Sequence, residues 1–311
     1  MTATLHLPAM LRPLHLPTRI TDRIPGVGAD IWTPVDPAEA VRPLTLWDPI
    51  YLGRDLYGDP VHLSLAWRML IVGGLPDAGK SNGVNQILAH AALCPDVELW
   101  LFDGKENELT TWTPLADRVV GHDMDAALDA IAALQSLLDG RLAELKAAGL
   151  EKITPESGHG FVLVVVDELA LYTSVYGEPA QQKRFSAGLR DLVARGRAAG
   201  LIVVAATQRP SSDIVPTSLR DLFAYRWALA CANDASSDVI LGDGYANARY
   251  SAATIDLDGH AGVGYLLAEN RRTPRLFRAA YLARDDIRYL VSVGFTLRGR
   301  PALQPLTGGG S

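Results

Sequence analysis

One stretch constrains this chain more than any other: Gly74-Leu75-Pro76-Asp77-Ala78-Gly79-Lys80-Ser81 fits the pattern G-x-x-x-x-G-K-[ST]. The apolar run Met69-Leu70-Ile71-Val72 before it reads as a strand, and Asn82 to Ala92 after it reads as a helix. Strand, glycine-rich loop and helix in that order make a phosphate-binding loop. The loop N–H groups and the helix N-terminus converge on one anion, and the helix dipole favours its charge. On this reading Gly74 to Asn82 bind a nucleoside triphosphate. Lys80 reaches the β- and γ-phosphates, and the Ser81 hydroxyl completes a Mg²⁺ shell. An accidental glycine-rich turn is the competing explanation, and it does not account for the flanking strand and helix.

Two further segments carry polar residues at the ends of apolar strands. Val162-Leu163-Val164-Val165-Val166 runs into Asp167-Glu168, at the strand end where a parallel sheet delivers residues to a ligand crevice. Asp167 is expected to hold Mg²⁺ and Glu168 to polarise an attacking water. A strand ending in two solvated acids is the plainer alternative, made less economical by the loop upstream. After the run Leu201–Ala206 comes Thr207-Gln208-Arg209-Pro210. The Gln208 amide both donates and accepts, which suits it to sense the γ-phosphate or its water. A turn initiated by Pro210 fits the same residues, and spacing alone does not separate the two.

The alternation of short, fully apolar strands with helical patterns continues along the chain. Val97–Phe102, Phe161–Val166, Leu201–Ala206 and Phe223–Leu229 read as strands; Asp125–Ala147 and Ala180–Ala199 read as helices. Runs apolar on both faces fit a mostly parallel sheet covered by helices on both faces, an α/β fold. Ile50 to Leu56 and Val61 to Leu65 alternate around Tyr57-Gly58-Asp59-Pro60, a β-hairpin signal. The expected organisation is a Pro-rich N-terminal extension over 1–45, a nucleotide-binding domain over 46–285 and a C-terminal tail over 286–311.

Composition narrows the function classes. A net charge of −6 gives no general basic field, so any nucleic-acid contact must come from a local arginine surface. Arg184, Arg190, Arg195 and Arg197 decorate one helix, Arg226 lies in the next strand, and Arg271, Arg272, Arg275 and Arg278 form a later cluster. Solvated surface is the common fate of such residues; a phosphate contact or an arginine offered to a neighbouring subunit is the functional one. Cys94 and Cys231 have no metal spacing and read as buried thiols. The seven histidines show no ligand spacing either. No run approaches the ~20 apolar residues of a membrane helix, and the first residues do not resemble a signal peptide. The expectation is a cytoplasmic protein without a transmembrane segment, reaching a membrane only through a membrane-anchored partner.

Together these segments resemble the motor domain of the FtsK/SpoIIIE family of DNA-pumping ATPases, from about residue 49 to 282. Asp103-Gly104-Lys105-Glu106-Asn107-Glu108-Leu109 is similar to the family's Asp-Pro-Lys…Glu-Leu segment. Arg195-Gly-Arg197-Ala-Ala-Gly200 with Ala205-Ala-Thr-Gln-Arg-Pro-Ser211 is close to its Arg-Ala-x-Gly-Ile-His…Ala-Thr-Gln-Arg-Pro-Ser block. Asn233 to Gly242 resembles its Asp-Ser-Arg-x-Ile-Leu-Asp segment without the middle Arg, and Pro76-Asp77-Ala78 replaces the usual Thr-Gly-Ser. The resemblance implies a RecA-like P-loop NTPase that hydrolyses ATP with Mg²⁺. It further implies a homo-oligomeric ring, a hexamer, around double-stranded DNA. Arg197, with Arg226 behind it, is then the expected trans arginine beside catalytic Glu168 and Gln208. The short form is similar to actinomycete plasmid and integrative-element transfer proteins. Two rivals stay open: a type VII-like secretion ATPase that moves polypeptide, and a nucleotide-binding regulator with little turnover. Asp77 would weaken phosphate binding unless it turns outward.

Overall fold

The computed structural model describes residues 43–299; most of the expected N-terminal extension and the Thr307–Ser311 stretch lie outside the described residues. β1 (Ile50–Asp55) and β2 (Pro60–Leu63) form a hairpin, and β3 (Leu70–Gly73) leads through the glycine-rich loop into α1 (Lys80–Ala92). β4 (Glu98–Phe102), β5 (Arg118–Val120), α2 (Met124–Ala147), β6 (Val162–Val166), α3 (Pro179–Arg195) and β7 (Leu201–Thr207) follow. The chain then forms α4 (Thr217–Arg220), β8 (Tyr225–Leu229), α5 (Asp234–Leu241), β9 (Val263–Ala268), β10 (Arg275–Ala279) and α6 (Arg284–Leu297).

Among the described residues all ten strands belong to one sheet, in the order β2-β1-β10-β9-β8-β3-β7-β6-β4-β5. From β8 to β5 every pairing is parallel; from β8 to β2 every pairing is antiparallel. Each residue of β3, β6 and β7 is buried, as strands covered on both faces require. Two glycines show which helix covers which face. A Cβ on Gly83 of α1 would strike the Trp227 ring, and one on Gly73 would strike Ile240 of α5. Trp227 is the register partner of Val72, whose side chain points opposite to that of Gly73. So α1 and α5 lie on opposite faces. Trp227 is completely buried beneath α1, and truncating such a residue to alanine costs about 3–5 kcal/mol.

Helices α2 and α3 form a close pair. Asp123 caps α2 by accepting from the Asp125 and Ala126 N–H groups, and Gly188 of α3 makes room for the Ile131 side chain. Arg195 ties the pair together through Asp139 at 2.7 Å and Asp191 at 2.6 Å. The second helix ends at Arg195, four residues before the sequence expectation. Gly200, at φ 72°, reverses the chain into β7. That conformation favours glycine.

The tail expected from residue 286 begins instead as helix. α6 buries Ile287, Leu290, Val291 and Gly294, and a Cβ on Gly294 would lie 2.4 Å from the Ala92 carbonyl oxygen. This spacing is an apolar stripe docked against the end of α1. The later arginine cluster is also partly structural. Arg275 holds Asp55 of the hairpin with contacts of 3.0 and 2.5 Å, and Arg278 donates to the Gly259 carbonyl at 2.8 Å. Cys94 and Cys231 are buried and unpaired; burial raises both thiol pKa values, that of Cys231 to about 12. Among the described residues no helix is long and apolar enough to cross a membrane.

Candidate functional site

Four neighbouring parallel strands end at the same edge of the sheet, so the residues that follow them meet although they are far apart in sequence. The glycine-rich loop follows β3, Gln208 follows β7, Asp167-Glu168 follow β6 and Asp103 follows β4.

The loop is held by its backbone. Gly74 N–H donates to Thr207 O at 3.2 Å, and Leu75 N–H to Ala230 O at 2.8 Å, so the loop is hung between β7 and the exit of β8. Ala78 O accepts from Gly262 N–H at 2.9 Å, which lays the turn before β9 against the loop. Gly79 has φ 94°, and a Cβ there would sit 2.5 Å from Gly262 N. Both the backbone conformation and the close approach demand glycine. Pro76 and Asp77 are exposed. Asp77 occupies the left-handed region at φ 63°, which aspartate tolerates better than most residues. Its exposure leaves the carboxylate in water, where its charge is screened.

Lys80, Asp167 and Glu168 are brought together in the buried interior of this edge, 3%, 1% and 4% exposed. Lys80 Nζ lies 2.9 Å from Asp167 Oδ1 and donates to the Asp167 carbonyl at 3.0 Å. Asp167 Oδ2 is buried without a hydrogen-bond partner among the described residues. A buried anionic oxygen with nothing to accept from fits a cation or water on a cation. Ser81 stands in the first turn of α1, half-buried. Among the described residues no cluster of three or more His, Cys, Asp or Glu could hold a metal. Asp167 Oδ2 and the Ser81 hydroxyl are hard oxygen donors of the kind Mg²⁺ takes, one or two from protein and the rest from substrate phosphates and water.

Glu168 is fixed from the β7 side. Its Oε1 accepts from the Thr207 hydroxyl at 2.8 Å and its Oε2 from the Gln208 N–H at 2.8 Å. Thr207 Oγ1 in turn accepts from Arg209 N–H at 3.0 Å. A carboxylate so held can orient a water while linking it mechanically to the segment after β7. The Gln208 side chain is half-buried at this edge and makes no hydrogen bond among the described residues.

Three of the residues expected at the site are engaged elsewhere. The Asn82 side chain clamps the turn after β10, donating to Ala280 O at 2.6 Å and accepting from Leu282 N–H at 3.0 Å. Its contribution to a phosphate is limited to the backbone N–H of the first turn. Arg197 Nε donates to Trp67 O at 2.8 Å, and its Nη2 meets both Glu269 oxygens at 2.8 Å. Trp67 precedes β3 and the phosphate loop follows it, so this four-residue strand separates them by about 13 Å. Arg226 donates to Leu241 O at 2.9 Å, with Asp221 3.5 Å away. Both arginines are thus engaged by partners outside the loop of their own chain.

The residues that sequence reasoning left without a role are Thr207, Ala230, Gly262 and Asp103. Thr207 sits in a segment singled out for Gln208. Asp103 follows a buried strand as Asp167 does, and that shared position is the signal that would have found it.

The FtsK/SpoIIIE family model matches residues 47–162. A DNA translocase FtsK of Staphylococcus aureus is 28% identical over 216 residues, which cover 62% of this chain and 26% of the relative. One of Streptomyces avermitilis is 27% identical over 300 residues, 87% of this chain and 31% of the relative. The chain thus spans about a quarter to a third of the length of these relatives. The pCW3 conjugation coupling protein TcpA, solved as a monomer with ATPγS, superposes with a TM-score of 0.66 at 18% identity. The match covers 81% of this chain and 71% of TcpA, and at that identity it shows a shared fold.

Proposed function

We propose that the chain is a member of the FtsK/SpoIIIE family and a Mg²⁺-dependent ATPase whose turnover drives movement of double-stranded DNA. The observation that carries this is the buried convergence of Lys80, Asp167 and Glu168 beside the glycine-rich loop. Residues 74–82 bind the triphosphate through backbone N–H groups. Lys80 exchanges its contact with Asp167 for the phosphates, and Asp167 with Ser81 would then hold Mg²⁺. When bound, that ion neutralises charge on the phosphate oxygens. Glu168 takes a proton from the attacking water, which general-base catalysis makes worth about 10²–10⁴ in rate. Gln208, whose N–H already contacts Glu168, passes the loss of the γ-phosphate to the segment after β7.

The motor occupies residues 46–285, with α6 buttressing α1. It assembles as a homo-oligomeric ring, a hexamer, in which an arginine completes the site of the next copy. Arg197 is the more exposed candidate; Arg226 would first have to leave Leu241 and Asp221. DNA is held mainly through its phosphates, without sequence choice. The setting is conjugative plasmid or integrative-element transfer, in the cytoplasm, with a membrane-anchored partner supplying any attachment.

ATP turnover measured with and without duplex DNA tests the reading. The expected result is a several-fold rise with DNA that falls away with added salt, because phosphate contacts release counterions. Equal turnover with and without DNA would favour a polypeptide-moving secretion ATPase. Tight ATP binding without turnover would favour a regulator.

A further inference from the structure

Asp103 is a third buried acid at this edge. It directly follows β4, one strand over from Asp167: Phe102 and Val166 are register partners, and Asp167 N–H donates to Phe102 O at 3.1 Å. Asp103 is 3% exposed. Its Oδ2 accepts from Leu109 N–H at 3.0 Å and so shapes the turn after β4. Its Oδ1 is buried and accepts no hydrogen bond from the described residues, the same condition as Asp167 Oδ2.

Two adjoining strands therefore end in two carboxylates, each with one satisfied oxygen and one orphaned oxygen. The Asn107 and Glu108 N–H groups of the same turn also face the carboxylate, yet Oδ1 is left without a hydrogen bond. Burying that oxygen beside another acid is unfavourable unless something positive or protic comes between them. Lys80 does not fill that role, because its ammonium is directed at Asp167 Oδ1 and the Asp167 carbonyl. Burial, with a smaller contribution from the Asp167 charge, also holds the Asp103 carboxyl above the usual aspartate range. A nearby cation would act in the opposite direction.

The geometry points to Asp103 as a positioning residue for the metal: its Oδ1 accepts from water on the Mg²⁺ that Asp167 and Ser81 hold. This inference rests on the Mg²⁺–ATP reading of the site. Residues in this outer position set metal affinity by orienting what touches the ion, and losing one costs about 10–100-fold.

The test is Mn²⁺ binding to the protein–ATPγS complex, followed by the electron paramagnetic resonance signal of free Mn²⁺, for wild type and Asp103→Asn. Asparagine keeps an oxygen for the Leu109 N–H and removes the charge. The expected result is Mn²⁺ affinity weakened about tenfold or more, with metal-free ATPγS binding unchanged or tighter. Mn²⁺ affinity within twofold of wild type, or equal weakening of Mn²⁺ and metal-free nucleotide binding, would overturn the inference and leave Asp103 as a turn cap. A wild-type protein that binds no ATPγS would instead overturn the reading beneath it. Should Asp103→Asn fail to fold, Asp103→Ser, which still offers an acceptor to Leu109, carries the same prediction.

Discussion

The Lys80–Asp167 pair makes a demand on stability that precedes any chemistry. Both side chains are almost completely removed from water, 2% and 1% exposed, and lie 2.9 Å apart. Lys80→Met keeps the apolar stem and deletes only the ammonium, leaving the Asp167 carboxylate buried with neither oxygen paired. Removing one partner of a buried pair costs about 3–5 kcal/mol. For a domain of this size each kcal/mol is worth about 2–4 °C, so the melting temperature should fall by roughly 10 °C. Asp167→Leu strands the opposite charge and should cost a similar amount. The double variant buries no charge, and apolar replacement of a whole pair is often neutral; it should recover most of the loss. Urea unfolding of the four proteins without nucleotide reads this directly, since a bound ligand would add stability by mass action. Lys80→Met within about 0.5 kcal/mol of wild type, the usual range for uninvolved surface sites, would refute the reasoning. So would a double variant no more stable than the worse single one.

Glu168→Gln should bind ATP normally and lower turnover by about 10²–10⁴; a single-turnover assay reading within tenfold of wild type would exclude Glu168 as the base. Gly79→Ala must place a side chain at φ 94° and against Gly262 N. It should lose nucleotide binding and about 1–3 kcal/mol of stability, read by titration with a fluorescent ATP analogue and by urea unfolding. Arg275 holds the Asp55 carboxyl below its ordinary value of 3.8. The stability this contributes is present above that value and lost as pH falls through the lowered folded value. The melting temperature of Arg275→Ala should therefore fall less steeply than that of wild type below pH 3.8. Parallel curves would assign Arg275 no part in acid stability.

Much of this architecture was legible because it rests on short-range patterns. β3, β6 and β7 are apolar on both faces, and few chain conformations besides a doubly covered parallel strand tolerate that. The loop before α1 and the acids after β6 are contiguous motifs. β9 and β10 were not legible as strands. One carries Gly264 and the other is interrupted by Arg275 and Arg278 out of strand period, so their pairing comes from the sheet and not from propensity. β5 spans only three residues. α6 did carry a helical stripe at Ile287, Leu290, Val291 and Gly294, beyond the point where the family resemblance ended.

Side-chain partners were the least readable. Asn82 sits one residue after the phosphate-binding motif, yet its amide faces Ala280 and Leu282, about two hundred positions along. Arg197 and Arg226 stand in suggestive positions but are held by Glu269, Leu241 and Asp221, partners that no motif spacing reveals. The pairing of Glu168 with Thr207 likewise depends on β6 and β7 being neighbours, which no local pattern announces.

The central claim is that cleavage of a triphosphate held by Lys80, Asp167 and Glu168 moves the chain along duplex DNA. Displacement of a fluorescent third strand from a DNA triplex measures that motion itself. The account predicts displacement with ATP and Mg²⁺, and none with ATPγS or with Glu168→Gln. Brisk ATP hydrolysis in the presence of duplex DNA, with the third strand left in place, would contradict it.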